Sequence, residues 1–220
     1  MPNISKEDYL RVIFKNNVEG KPVMATLIAK ELGVSNAAVT DMIKKLFKEK
    51  IVIYTPYKGV QLCEKGRVEA IRLVRRHRIW ETFLYKVVGL PWYQIDEEAE
   101  NLEHSASDEL IDRLEKFLGY PEFDPHGHPI PKRNGKIPKQ KKVIELSQLN
   151  LNQYGIVRRV NDHSKDLLYH LFVIGIEIGT KIKVLEKRTF DNSMVISIRN
   201  KRNIISEKLS KNVFVEKVKR

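Results

Sequence analysis

Apolar residues recur at helical spacing through the first half of the chain and at a spacing of two near its end. Over residues 5–17, Leu10, Ile13 and Phe14 fall at i, i+3 and i+4, and Ser5 stands where a helix N-cap belongs. The stretch MATLIAKELGVSNAAVTDMIKKLFKEK, residues 24–50, predicts a short helix over 26–32 that stops at Gly33. Ser35 then caps a second helix with Val39, Met42, Ile43 and Leu46 on its inner face. Helix, glycine turn and capped second helix is the layout of a helix-turn-helix. In IVIYTPYKGVQL, residues 51–62, two β-prone runs flank the turn cluster Thr55–Gly59, which predicts a hairpin placed as a wing. A small helical domain with a hairpin is the plainer reading of the same pattern.

Residues 65–117 are predicted helical for most of their length. One helix over 65–88 carries Val68, Ile71, Val74 and Ile79 in a broad apolar stripe, and Gly89-Leu90-Pro91 ends it. Two more follow over 95–104 and 107–118. So much apolar helix beside a small reading module predicts a homodimer, which sets two recognition helices roughly 34–36 Å apart. Residues 124–142 hold four prolines and five lysines and read as a linker. After Val143 the runs IVRRV, KIKVLEK, MVISIRN and VFVEKV alternate with turn residues, the pattern of a small SH3-like β-barrel. The expected architecture is mainly α with a small β part. Residues 1–64 form a winged helix-turn-helix, 65–127 a helical dimerisation and metal-binding domain, 128–142 a linker and 143–220 the SH3-like domain.

Composition sharpens this. The chain has 40 Lys and Arg against 28 Asp and Glu, a formal net charge of +12, so an anionic partner is expected and nucleic acid is the commonest. The excess is uneven, with 18 basic and 8 acidic residues over 139–220 but 12 and 13 over 65–138. One cysteine, Cys63, excludes an internal disulfide framework. No apolar run approaches the ~20 residues of a membrane span and MPNISKEDY lacks a leader's apolar core, so a cytoplasmic protein without a membrane partner is expected. Against this basic background, EEAENLEH at 97–104 gathers four carboxylates and an imidazole. Helical spacing places Ile95, Ala99 and Leu102 on one face, Asp96, Glu100, Glu103 and His104 in a stripe beside it, and Glu97, Glu98 and Asn101 outward. The residues alone leave an exposed acidic face and half of a metal site both open.

In order along the chain, EDYL (7–10), the helix-turn-helix, HRIWETFL (77–84), EEAENLEH with Ser105–Asp108, and PHGHPIP (125–131) resemble the DtxR/MntR family of metal-dependent transcriptional regulators, typified by diphtheria toxin repressor. The C-terminal part is similar to the family's SH3-like, FeoA-type domain. The resemblance covers nearly the whole chain. It implies a metal-activated homodimer that binds a pseudo-palindromic double-stranded operator and represses metal-uptake genes, and no enzymatic activity. It implies a primary metal site at Asp8, Glu100, Glu103 and His104, and a second site drawing on His77, Glu81, Asp124, His126 and Asp162. The chain departs from the iron-sensing members, which carry Cys where Glu100 stands, Met where Asp8 stands and His where Asp96 stands. Arg11 replaces a first-helix carboxylate of the short manganese-sensing members.

Three carboxylates and one imidazole without thiolate suit Mn²⁺ or Fe²⁺ as cofactor, with Zn²⁺, Co²⁺ or Ni²⁺ as substitutes in vitro. Manganese is the expected signal. The residues keep other readings open: Ser5–Asp8 is also a capping box, His77 lies among Arg75, Arg76 and Arg78, and Asp124 and His126 fit a linker turn. On DNA, Ser35, Asn36, Ala37, Ala38, Thr40 and Asp41 are expected at base edges, and Lys44, Lys45, Tyr57 and Lys58 at phosphates. Three rivals remain: a metal-dependent hydrolase using His77, Glu81 and PHGH, though no HExxH, phosphate loop or nucleophile elbow is present; a winged-helix protein blind to metal; and an activator.

Overall fold

Serine hydroxyls start five helices, each accepting a bond from a backbone N–H of the first turn: Ser5, Ser35, Ser107, Ser164 and Ser206. These caps lie in a computed structural model that describes residues 5–17, 20–162 and 164–218. The chain divides into two units, one reaching His77 and including Pro131–Lys136, the other comprising Arg78–Ile130 and Ile137 onward.

The first unit contains α1 (Lys6–Asn16), α2 (Ala25–Leu32), α3 (Asn36–Lys48), the hairpin β1 (Val52–Thr55) and β2 (Gly59–Leu62), and the first part of α4 (Glu64–Phe83). Leu10, Ile13, Ile28, Val39, Ile43, Leu46, Ile51 and Val60 are its buried core. Gly33, at φ 65°, ends α2. Gly59, at φ 110°, lies so close to the Val23 carbonyl that a Cβ would collide with it, and Val23 pairs with Val60, which ties the wing to the chain before α2. Ser35 Oγ accepts from Ala38 N at 3.2 Å at the exposed start of α3. Ser35→Ala is therefore expected to cost about 1 kcal/mol, read as a lower urea midpoint with unchanged slope. One position of the predicted stripe is corrected: Val68 is 60% exposed, and α4 buries Ala70 and Leu73 beside the expected Ile71, Val74 and Ile79. A stripe of about 100° holds two residues per turn, and Ala70 and Leu73 are the ones that join the core of this unit.

In the second unit α4 passes into a π-helical turn, Leu84–Val88, ended by Gly89 at φ 79°, where a continuous α-helix to 88 was expected. Next come α5 (Ile95–Glu103) and α6 (Asp108–Phe117). After an irregular stretch follow β3 (Ile144–Glu145), β4 (Tyr154–Val160), α7 (Lys165–Val173), β5 (Lys181–Lys187), β6 (Met194–Ile198), β7 (Lys201–Ile205), α8 (Glu207–Lys211) and β8 (Val213–Val218). Among the described residues the last six strands form an antiparallel sheet in the order β3-β8-β4-β5-β6-β7, bulged at Val157/Arg159 and Val184/Glu186. Alternate residues Val157, Ile182, Val184, Ile196, Ile198, Val213 and Val215 face a core that also takes Leu168 and Leu171 of α7. Trp92, Ile95 and Ala99 belong to that same core, so α5 is positioned by the sheet domain. Leu102, expected beside Ile95 and Ala99, is 36% exposed because it lies in the last turn.

Residues 128–143 contain no helix or strand, yet their start is not a loose tether. Ile130 packs with Ile79, Ala106 and Ile111. Gly127 has φ 87°, and a Cβ there would overlap the Arg158 carbonyl; Val160 N donates to His126 O at 3.0 Å. The PHGH segment is thereby fixed against β4. Among the described residues no helix is long and apolar enough to cross a membrane.

Candidate metal centres

Three groups of ligand-type side chains are built by these elements. In the first unit, Asp8 occupies the third position of α1 and completes the capping box. Its Oδ2 accepts from Ser5 N at 2.6 Å and from Ser5 Oγ at 3.0 Å, while Oδ1 lies 3.7 Å from Arg11 Nη2. The same Arg11 donates through Nη1 to His77 Nδ1 at 2.9 Å. A guanidinium only donates, so Nδ1 is the acceptor and the ring proton sits on Nε2. Asp8 and His77 are 8% and 7% exposed.

In the second unit, α5 ends in Glu100, Glu103 and His104. His104 Nε2 lies 3.5 Å from Glu100 Oε1 and 4.0 Å from Glu103 Oε1, and Glu103 is buried. No basic residue stands in the last turn of this helix. Two carboxylates at the negative end of a helix dipole are unfavourable alone and call for a cation. Glu97, Glu98 and Asn101 are exposed, as the spacing predicts; so is Asp96.

The third group is buried within the second unit. His126 Nδ1 lies 3.2 Å from Glu81 Oε1, and its Nε2 meets the Trp92 carbonyl at 2.9 Å. The carbonyl holds a proton on Nε2 and turns Nδ1 inward, the arrangement of a second-layer acceptor orienting a metal-ligating histidine. Asp124 Oδ1 accepts from His126 N and His128 N, both at 2.9 Å. Its Oδ2 lies 3.3 Å from Arg78 Nε and 3.6 Å from His128 Nδ1, which is 3.5 Å from Asp162 Oδ2. Ligand atoms of Glu81, Asp124 and His126 all fall within 4.8 Å of one another. Asp124 Oδ2, His126 Nδ1 and His128 Nδ1 are buried without a hydrogen bond among the described residues. Three carboxylates and one guanidinium leave this group at −2 with neutral imidazoles and at −1 while His126 holds its extra proton, so it is anionic in either state. Three carboxylates and an inward imidazole thus fit a divalent ion.

The electrostatics agree. Burial pushes the Asp124 carboxyl up, but His128, Arg78 and His126 outweigh it and hold it down to about 2. Burial pushes the His126 imidazole down, but Glu81, then Asp124 and Asp162, raise it to about 9. Two members of this group escaped sequence reasoning. Arg78 was given no role and His128 fell in the linker, although the pair of imidazoles in PHGH was the available signal.

At the reading surface, Ser35, Asn36, Ala37, Ala38 and Asp41 are exposed along the start of α3, as are Lys44 and Lys45. Thr40 is half-buried, and its hydroxyl donates to Asn36 O at 2.8 Å. Asp41 Oδ1 lies 3.7 Å from Lys44 Nζ. Tyr57, at the wing tip with φ 62°, is 98% exposed next to exposed Lys58.

Three family models match the chain in order. They are the N-terminal DNA-binding domain of iron-dependent repressors over residues 3–60, the metal-binding and dimerisation domain of iron-dependent repressors over 63–132, and the FeoA domain over 144–217. An uncharacterised HTH-type transcriptional regulator of Methanocaldococcus jannaschii is 41% identical over 118 residues, 52% of this chain and 92% of that protein. The HTH-type transcriptional regulator MntR of Oceanobacillus iheyensis is 33% identical over 154 residues, 70% of this chain and 97% of its own length. A solved structure of a manganese-dependent transcriptional repressor in complex with manganese is similar with a TM-score of 0.89 at 31% identity, covering 97% of this chain and all of that one.

Proposed function

Because this chain belongs to the family of iron- and manganese-dependent transcriptional repressors, we propose that it is a homodimeric repressor of metal-uptake genes with manganese as its signal and Fe²⁺ as the second choice. The carrying observation is the buried Glu103 with Glu100 and His104 at the negative end of α5. The primary ligand set is Asp8, Glu100, Glu103 and His104. The second is Glu81, Asp124, His126 and Asp162. Neither contains a thiolate, and oxygen-rich sets suit harder ions; Zn²⁺, Co²⁺ and Ni²⁺ are expected to load in vitro because affinity alone favours later metals. His77, whose Nδ1 receives Arg11, joins the second set through its other ring nitrogen.

A divalent ion, when bound, would add positive charge among these carboxylates. Asp8 is carried by α1 of the reading domain, and Glu100, Glu103 and His104 by α5 of the dimerisation domain. Committing both to one coordination sphere narrows the placements of α3 and the wing to those that match two half-sites. Residues 35–38, with Thr40 and Asp41, then meet base edges, and Lys44, Lys45, Tyr57 and Lys58 meet phosphates. Coupling is reciprocal, so operator DNA tightens metal binding by the factor by which metal tightens DNA binding.

A duplex selected from random sequence by the manganese-loaded protein tests this. Its affinity is expected to rise roughly 5–150-fold from chelator to Mn²⁺, the span of ordinary allosteric coupling. Equal affinity in Mn²⁺ and in chelator would remove the metal from the function.

A further inference from the structure

We propose that the outer face of the C-terminal sheet carries a phosphate-binding site, built from Lys181, Lys183, Arg199 and Ser197 against the ring of Tyr154. A cavity of about 660 Å³ opens there, lined by these five residues among others. Strand register assembles it. Tyr154 on β4 pairs with Lys183 on β5, and Lys183 pairs with Ser197 on β6, so the three form one row across the sheet. Lys181, two residues before Lys183, projects on the same face. Lys181 Nζ is 4.8 Å and Lys183 Nζ 5.6 Å from the centre of the Tyr154 ring. Arg199 comes from the β6–β7 turn, where it and Asn200 adopt φ 47° and 65°, and it stands exposed at the rim.

The cavity gathers several basic residues in one place, with no carboxylate paired to them among the described residues. Elsewhere in the domain Arg158 and Lys141 meet Glu216, Arg188 meets Glu186 and Lys211 meets Glu207. Among the described residues Lys181, Lys183 and Arg199 have no carboxylate partner, and Glu177, which lines the same cavity, forms no ion pair with them. The Ser197 hydroxyl likewise makes no hydrogen bond among the described residues. Ring quadrupole attraction gathers two ammonium groups that repel each other, and an anion in the cavity relieves that repulsion. Lysines act on phosphate as point charges, an arginine adds a two-pronged donor, and a hydroxyl adds one more. The volume lies within the roughly 300–1,000 Å³ of small-molecule sites, enough for a phosphate ester and more than a bare ion needs.

The phosphate has two sources, a free phosphate compound or the backbone of DNA flanking the operator. Full-length manganese-loaded protein and its Lys181→Gln/Lys183→Gln variant are titrated with inorganic pyrophosphate and with ATP by calorimetry at low salt. Non-operator duplex is titrated over a salt series. The glutamines keep the stems and remove the charge, and an unchanged thermal midpoint certifies the fold. A free ligand is indicated when wild type binds pyrophosphate or ATP and the variant binds about tenfold or more weakly, the loss expected for removed charge-assisted contacts. DNA is indicated when small phosphates do not distinguish the proteins but the salt slope of duplex binding falls by about 2 in the variant, roughly 0.9 per lost phosphate contact. If small phosphates and salt slope are both the same in the two proteins, the proposal is wrong. Manganese-dependent operator binding is expected to survive the substitutions, so failure here is distinguishable from failure of the repressor reading.

Discussion

A Glu103→Ala protein is expected to bind its selected operator no more tightly in manganese than in chelator. Glu103 is 2% exposed at the end of α5, with Glu100 and His104 beside it. Its carboxylate sits where the helix dipole already disfavours negative charge, a cost that a cation bound there would offset. Removing an outer partner of a metal ligand commonly costs about 10–100-fold in metal affinity. Removing a ligand should cost at least as much, which exceeds the working range of a sensor. Glu97→Ala on the same helix is the control: Glu97 faces solvent, 3.4 Å from Lys165, and its loss should change the manganese response by less than about twofold, as for surface pairs generally. Gel shifts on the selected duplex and calorimetric manganese titration read both variants. A manganese response retained in Glu103→Ala would remove Glu103 from the ligand set, and a response lost equally in Glu97→Ala would point to general damage.

What the sequence disclosed follows the range of the forces involved. Caps act over three residues, so Ser5 and Ser35 could be placed from pattern alone. Helical spacing likewise separated Glu97, Glu98 and Asn101 from the buried Ala99. Asp8 shows why local pattern also leaves ambiguity. A carboxylate has two oxygens, and the one committed to the capping box says nothing about the other. The buried group around Asp124 was only partly legible. It joins Glu81 on α4, the PHGH turn and Asp162 beyond β4, with His126 reaching back 34 residues to the Trp92 carbonyl. Family resemblance supplied four of those residues. Arg78 has no local signature, and the imidazole pair of PHGH did not by itself say that His128 is buried, which follows from the turn being seated on β4 at Gly127. Helix α7 was missed for another reason: LLYHLFV is a short apolar run, which suits a buried strand as well as a helix.

The metal-free protein is expected to lose stability as pH rises from 6.5 to 9. His126 has its imidazole raised to about 9 by Glu81, Asp124 and Asp162 against the opposing effect of burial. A group raised on folding contributes stability that is complete below its unfolded pKa, near 6.5, and gone above its folded one. At about 1.36 kcal/mol per unit the loss is about 3 kcal/mol, or roughly 6–12 °C for a chain of this size. Asp124 works in the opposite sense. Held at about 2, its contribution is complete above 3.8 and is lost as pH falls toward 2. The buried group therefore favours the metal-free fold most between about 4 and 6.5. Thermal melts in chelator from pH 6 to 9 should show the decline in wild type and a flatter course in His126→Gln, whose amide has no proton to lose. Equal slopes in the two proteins would assign the decline to other groups. Manganese sharpens the contrast, since an ion on Nδ1 stands where the imidazolium proton stood. Its stabilising effect should increase across the same interval in wild type, as protonation ceases to compete with coordination, and should be nearly independent of pH there in the glutamine variant.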